Sequence, residues 1–272
     1  MTVTSPNASM TVEITGAIAL VAFNRPETLN ALDEDLAYAL GQITGAISED
    51  NSIRCVVLSG AGDHFMAGGD VKSFDKKLQD EPDRTARRHY FEQLIDTFHV
   101  GLTNIRSMPQ PVIGKIRGAA AGAGVSLVLA CDLALASDNA FFTLAYCHIG
   151  TSPDGGSTHS LPRATGMKRA MEIALLGDRF NAETAEKWGL INRVVASDSL
   201  DAEVDALAIR LAAGPSRAYA HTKTLLNQSL HSTLTEQLDA ERQGFADCST
   251  TDDFAEGIAS FVKKRKPGFK GK

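Results

Sequence analysis

Val112–Ala136 reads VIGKIRGAAAGAGVSLVLACDLALA. Val112–Ile116 has the apolar, β-branched character of a strand, Val125–Cys131 that of an apolar helix, and Leu133–Ala136 that of a second strand. Between the first strand and the helix, Gly118–Gly124 contains only glycine and alanine. Upstream, two apolar runs, Thr11–Ile14 and Ala17–Phe23, are split by Thr15-Gly16, the pattern of a β-hairpin. Asn24-Arg25-Pro26 ends it. Leu36, Leu40, Ile43 and Ile47 then recur at helical spacing behind Asp33, a candidate N-cap, and Cys55–Ser59 is the next strand. Strand, helix and strand joined by a helical crossover imply a parallel sheet, and so an α/β fold.

Residues 71–86 are densely charged, and Asp75–Arg84 is expected to be a mobile surface stretch. Phe91, Leu94, Ile95, Phe98, Leu102 and Ile105 mark the buried stripe of a helix that Pro109 and Pro111 stop. From Leu161 onward the pattern is helical, with helices expected at Met167–Leu176, Asn181–Trp188, Leu200–Ala213, Ser216–Leu230, Leu234–Asp247 and Asp253–Lys264. No strong linker divides this half. The reading is a core over residues 1–200 and a helical C-terminal region over 201–272.

A chain of 272 residues can bury a full core without a metal or disulfide staple. Its net charge of −6 lacks the basic surplus of a non-specific nucleic-acid binder. No stretch reaches the roughly 18 uncharged apolar residues that a membrane span needs, and Met1–Met10 carries no apolar signal core. Cys55, Cys131, Cys147 and Cys248 form no CxxC pair, which reads as reduced thiols in a cytoplasmic protein, with neither a zinc site nor a disulfide frame. The expectation is no metal, no nucleic acid and no membrane partner.

Two glycine-rich turns carry the chemistry. His64-Phe65-Met66-Ala67-Gly68-Gly69-Asp70 follows a strand, and Gly118–Gly124 leads into a helix N-terminus, where free N–H groups favour developing negative charge. Neither is a phosphate loop. No GK[ST] follows, and Gly118, Gly122 and Gly124 run GxxxGxG rather than GxGxxG. His148 and His159 lack a partner at metal-ligand spacing, and no GxSxG is present. Alone, each turn could serve tight packing.

Asn24-Arg25-Pro26-Glu27, Leu29–Leu32, Phe65–Asp70, Gly118–Gly124, Ala130–Ala136 and Phe261–Pro267 together resemble the crotonase (enoyl-CoA hydratase/isomerase) superfamily, in order and over nearly the whole chain. The resemblance implies a ClpP-like crotonase fold of repeated ββα units with a helical C-terminal trimerisation region. It implies a homotrimer or dimer of trimers, and an acyl-CoA substrate with no further cofactor, CoA being part of the substrate. Two backbone N–H groups, which map to Gly69 and Ala123, would hold the thioester oxygen as it becomes an anion. Preorganised donors of this kind supply roughly 3 kcal/mol each.

The resemblance places glutamates at two positions where this chain has Ser126 and Tyr146. An alcohol and a phenol, the latter with an ordinary pKa of about 10, are poor bases near neutrality. Ser152-Pro153-Asp154-Gly155-Gly156 is similar to the aspartate-type isomerases, the branch of the ring-epoxide phenylacetyl-CoA isomerase, in which the aspartate shuttles a proton between acyl carbons. On its residues alone, Pro153-Asp154-Gly155 is equally an ordinary turn. His99 and Asp154 are also similar to the histidine and nucleophilic aspartate of the 4-chlorobenzoyl-CoA dehalogenase branch. Tyr146 stands at that branch's tryptophan and could keep a hydroxyl hydrogen bond to Asp154. His99 could equally be a half-buried helix residue beside Phe98. Three readings stay open: isomerisation through Asp154, hydration, hydrolysis or dehalogenase-like chemistry through Asp154 and His99, and acyl-CoA binding without catalysis.

CoA is anionic, so an acidic chain must bring local positive charge to it. Arg25 and Lys72 are candidates within one subunit. Phe261 and Lys264 match family positions that reach a neighbour's CoA. Ala31 and Ala67 would lie along the adenine and pantetheine arm, and Asp70 is grouped with these binding positions. Walls for the acyl group are expected from the Phe74 loop and the helix bearing His99.

Overall fold

The hairpin forms as β1 (Met10–Thr15) and β2 (Ile18–Phe23), antiparallel and turned through Gly16 at φ +61°. A 3-10 turn at Pro26–Thr28 leads to α1 (Glu34–Glu49), which Asp33 caps by accepting from the Leu36 N–H at 2.9 Å. There follow β3 (Cys55–Gly60), α2 (Val71–Asp80), α3 (Arg84–Ser107), β4 (Val112–Ile116), β5 (Ala119–Ala121) and α4 (Ala123–Ala130). Next come β6 (Leu133–Ser137), β7 (Phe141–Thr143), a 3-10 turn at Tyr146–Ile149, α5 (Ser157–Thr165), α6 (Met167–Leu176), β8 (Phe180–Asn181), α7 (Ala182–Trp188) and β9 (Arg193–Val195). The chain ends with α8 (Leu200–Ala212), α9 (Ser216–Gln228), α10 (Leu234–Ser249) and α11 (Asp252–Val262). This computed structural model describes residues 3–272; Met1 and Thr2, the start of the polar stretch noted above, lie outside the described residues.

The main sheet has the order β1-β2-β3-β4-β6-β9, parallel from β2 onward, and β5-β7-β8 form a second, smaller sheet. Two strands and a helix recur as a unit, as in β1-β2-α1 and β4-β5-α4. Both faces of the central strands β3, β4 and β6 are buried, which explains why they read as apolar runs, whereas β1 at the edge is largely exposed and β2 alternates. Val56, Leu58 and Val112 pack with Leu36, Leu40 and Ile43 of α1 and Phe98 of α3. On the other face, Cys55, Val57, Ile113 and Leu135 meet Leu200, Val204 and Ala208 of α8.

Three expectations are corrected. The stretch from Leu161 onward is not helical throughout: Phe180–Asn181 is β8, and Arg193–Val195 is β9, paired with β6 in the main sheet. Ala119–Ala121, read as part of a glycine-rich turn, is strand β5, paired with β7. Asp75–Arg84 is no mobile stretch: residues 71–80 form α2, and α3 begins at Arg84. Asp70 caps α2 through the Ser73 N–H at 3.2 Å, and Asp83 caps α3 through the N–H groups of Thr85 and Ala86. Val71, Phe74 and Leu78 recur at spacings of three and four beneath the charges, a helical stripe.

The C-terminal helices are tied to the sheet by a largely buried lysine. Lys223 Nζ of α9 lies 2.8 Å from Asp132 Oδ2 and donates to the carbonyls of Ile105 and Gln110 at 2.8 and 3.1 Å. Asp132 also accepts from the Val112 N–H at 2.8 Å. Burial draws the pKa of Lys223 below its ordinary value and pushes that of Asp132 above its own. Nearby, Arg54 donates to Ser216 Oγ at 2.9 Å and to the Gly214 carbonyl, fixing the start of α9. Lys223→Met should leave a carboxylate buried without its partner, and is expected to lower unfolding free energy by about 3 kcal/mol in urea denaturation.

Candidate active site

The turn bearing Gly69 is held between two neighbours. On one side, Met66 pairs with Ala120: its N–H donates to the Ala119 carbonyl at 2.9 Å, and its carbonyl accepts from Ala121 at 2.8 Å. On the other side, Leu32 pairs with Gly69: the Leu32 N–H donates to the Gly68 carbonyl at 2.7 Å, and Asp70 donates to the Leu32 carbonyl at 2.9 Å. This pairing passes over the Gly69 N–H, which meets no acceptor among the described residues. The Ala123 N–H is likewise unpaired, because it belongs to the first turn of α4, where no helical carbonyl precedes it. Gly122 makes the sharp entry into α4 at φ +49°, and a Cβ there would stand 3.4 Å from the Gly68 Cα. The two turns therefore meet backbone to backbone.

Gly69 and Ala123 line one cavity of about 490 Å³ together with Tyr146 and Asp154. Its apolar wall comes from Val71, Phe74 and Leu78 of α2, and from Phe91, Leu94, Ile95 and Phe98 of α3. The Phe74 ring packs edge-on against Phe91, 5.1 Å between centroids. It also stands over Gly69, where a Cβ would lie 2.8 Å from the ring. Phe74, expected on a loop, is thus a helical residue whose position is fixed by α3.

Tyr146 OH donates to Asp154 Oδ1 at 2.5 Å. Burial, then the Asp154 charge, push the Tyr146 pKa far above the ordinary tyrosine value, so the phenol keeps its proton. The Asp154 backbone is clamped as well. Its carbonyl accepts from Ser126 Oγ at 3.1 Å and from Ser157 Oγ at 2.9 Å. Ser126, standing where the resemblance places a carboxylate, is therefore part of the support beneath Asp154. A Cβ on Gly155 would lie 2.8 Å from Ser126 Oγ and 3.0 Å from the Phe98 ring, so the turn has no room for a larger residue.

The structure separates the other expected residues from this group. His99 is not on the cavity wall, although Phe98 is, and its Nε2 is buried without a hydrogen-bond partner. Arg25 and Asp70 are committed to each other: Arg25 Nη2 lies 3.0 Å from Asp70 Oδ2 and 3.0 Å from Asp33 Oδ2, and Nη1 donates to the Ala31 carbonyl at 2.5 Å. Burial raises the pKa of Asp70, but the Ser73 N–H and the Arg25 guanidinium outweigh it and hold the carboxyl below its ordinary value. These charges brace the turn around Ala31. Ala67, half-buried, donates its N–H to the Leu29 carbonyl at 3.0 Å. Lys72 is exposed on the first turn of α2. Phe261, in the last turn of α11, and Lys264, just beyond it, are exposed, and neither lines the cavity. The sequence reading named Phe74 but missed Val71, Asp75 and Leu78 of α2, and Ile149, Thr151 and Ser152, which also line the cavity. No group of three or more His, Cys, Asp or Glu placed to hold a metal occurs among the described residues, and none of the described helices is long and apolar enough to cross a membrane.

Residues 13–272 match the sequence model of a family described as enoyl-CoA hydratase/isomerase. The 1,2-epoxyphenylacetyl-CoA isomerase of Escherichia coli K12 is 35% identical over 94% of this chain and 95% of its own length. The mitochondrial enoyl-CoA hydratase of Pongo abelii is 33% identical over 93% of this chain and 83% of its own. Among solved structures, an enoyl-CoA hydratase from Polaromonas sp. JS666 superposes with a TM-score of 0.89 at 34% identity, covering 96% of this chain and 99% of that one.

Tyr146→Phe removes one charge-assisted hydrogen bond from Asp154. It is expected to cut turnover of an acyl-CoA thioester by about 10- to 100-fold, the equivalent of ~1.5–3 kcal/mol. Because the phenol stays protonated, the wild-type rate profile should show no alkaline fall from Tyr146 below about pH 10.

Proposed function

The chain belongs to the enoyl-CoA hydratase/isomerase family and has its crotonase fold, and from that premise we propose that it isomerises acyl-CoA thioesters by a proton shuttle through Asp154. The observation that carries this reading is the pairing of the Asp154 carboxylate, hydrogen-bonded by Tyr146, with two unpaired N–H groups around one largely apolar cavity. The thioester carbonyl oxygen would accept from Gly69 and Ala123. Asp154 would take a proton from the carbon next to the carbonyl, and the C–H electron pair would pass to that oxygen as a conjugated enolate. The same carboxyl would return the proton at the far end of the conjugated system, and the oxygen's charge would fall back into the carbonyl. One carboxylate suffices because nothing is added to the substrate. In ring-epoxide substrates the same donors and base would serve bond migration.

The absence of His99 from the wall supports this reading over one that needs a second group to activate water. Positioned acid–base help contributes roughly 10²–10⁴-fold, and each oxyanion donor about 10²–10³-fold. Lys72 would meet the CoA phosphates from the same subunit, and Phe261 and Lys264 those of a neighbour in a homotrimer or dimer of trimers. The exposed apolar side chains Leu226, Leu230, Leu234, Leu238 and Phe245 on and between α9 and α10 suit such an assembly.

Asp154→Asn is expected to abolish double-bond migration in 3-enoyl-CoA while leaving CoA-thioester affinity nearly intact. Products are followed by absorbance and mass: an unchanged mass with a shifted double bond is the expected wild-type result. A gain of one water by a 2-enoyl-CoA, or binding without turnover, would contradict it, as would a variant retaining the wild-type rate. A second expectation follows from the cavity. Its volume of about 490 Å³ is well above the ~150 Å³ that holds benzene. The specificity constant should therefore rise roughly fourfold per methylene as the enoyl chain lengthens from four carbons. A flat series would contradict the assignment of this cavity to the acyl group.

A further inference from the structure

His64 is half-buried at the start of the Gly69 turn and is not on the cavity wall. Its Nδ1 accepts from the Ala119 N–H at 3.0 Å. Among the described residues this is the one side-chain hydrogen bond between the segment 61–70 and the segment 117–124, all other links being backbone pairs. Accepting through Nδ1 requires a neutral ring with its proton on Nε2. The root of the side chain is anchored too: the His64 carbonyl accepts from Asn30 Nδ2 at 2.8 Å, and Asn30 is completely buried. The ring reaches Ala119 because Gly118 is bare. At φ +52°, a Cβ on Gly118 would stand 2.4 Å from His64 Nδ1 and 2.3 Å from the Asp63 carbonyl.

We propose that His64 is a positioning residue that sets the Ala123 amide against the Gly69 amide, acting through Ala119 and β5; the proposal rests on the thioester reading of the site. The two donors sit on separate turns, and the grip on one oxygen depends on the distance between those turns. Ala119 opens β5, whose three residues lead to Gly122 and then to the Ala123 N–H. Ala119 is buried, so without His64 its N–H loses its acceptor in a place water does not freely reach. The backbone would move to satisfy it, and β5 would carry Ala123 along. A shift of a fraction of an ångström weakens an interaction made mainly with the anionic transition state, so kcat should fall by about 10- to 100-fold with KM nearly unchanged.

The test compares His64→Leu, His64→Ala and His64→Asn with the wild type. Asparagine Oδ1 can stand where Nδ1 stood and accept from Ala119; leucine and alanine cannot. The probe is benzoyl-CoA, which has no proton to shuttle, carrying an isotope-labelled carbonyl read by infrared difference spectroscopy. The wild type should lower the carbonyl stretch on binding. The leucine and alanine variants should bind with similar affinity but a smaller lowering, and the asparagine variant should regain most of it, with the same order in kcat for 3-enoyl-CoA. Alanine is read in place of leucine if the latter does not fold. Leucine and alanine variants with the full wild-type lowering, or an asparagine variant as impaired as alanine, would overturn the role of His64 alone. A wild type that binds benzoyl-CoA without any lowering would instead remove the thioester reading, and this proposal with it.

Discussion

The site depends on two amide N–H groups that the backbone leaves without acceptors. Around the Gly69 turn the hydrogen bonds to Leu32, Ala119 and Ala121 are all made, and they hold the segment rigid from both sides. The Gly69 N–H falls in the gap between these ladders, and the Ala123 N–H falls in the unavoidable gap at a helix start. An unpaired N–H next to an apolar cavity is unfavourable in the empty protein and favourable once an anionic oxygen arrives. The Gly69 turn follows β3 of the main sheet and the Ala123 turn follows β5 of the smaller one, so the distance between the two donors is set by the hydrogen bonds that join these segments.

The acidic side of the site is built with equal economy of charge. Tyr146 donates to the Asp154 carboxylate while Ser126 and Ser157 hold its backbone carbonyl, so both ends of the residue are fixed. Asp75, the other carboxylate lining the cavity, is exposed on α2 and accepts from Gln79 Nε2 at 2.9 Å, and the buried charges of the fold are paired away from the cavity. Arg25 is paired with Asp33 and Asp70, and Lys223 with Asp132. Within the proposed shuttle, Asp154 therefore works against an apolar wall of phenylalanines and leucines, where the anion it helps create is held chiefly by the two amides.

Much of the fold could be read in the residues. The hairpin, the Asp33 cap and strand β4 follow from local spacing and cap chemistry, and they stand where spacing puts them. After β4 the turn reading misses β5, a three-residue all-alanine strand too short and too plain to show a period, and α4 starts two residues earlier than the apolar run. The error at 75–84 has a specific cause. Val71, Phe74 and Leu78 form a helical stripe, but Lys72, Asp75, Lys76, Lys77 and Asp80 raise the charge density and hide it. For the site, short motifs brought Gly69, Ala123, Tyr146 and Asp154 to one cavity. What they could not reveal was which charges cancel. Arg25 and Asp70 are 45 residues apart, and only the fold makes them partners. His99 stays off the wall for a geometric reason: at about 100° per residue, Phe91, Leu94, Ile95 and Phe98 form one stripe of α3 that faces the cavity, and His99 falls just outside its edge.

The most direct test of the account is a crystal structure with a bound acyl-CoA. The account predicts the thioester oxygen at roughly 3 Å from both the Gly69 and the Ala123 nitrogens, with an Asp154 carboxylate oxygen over the carbon beside the carbonyl. An oxygen that touches only one of these amides, or an acyl group lying away from Asp154, would contradict it.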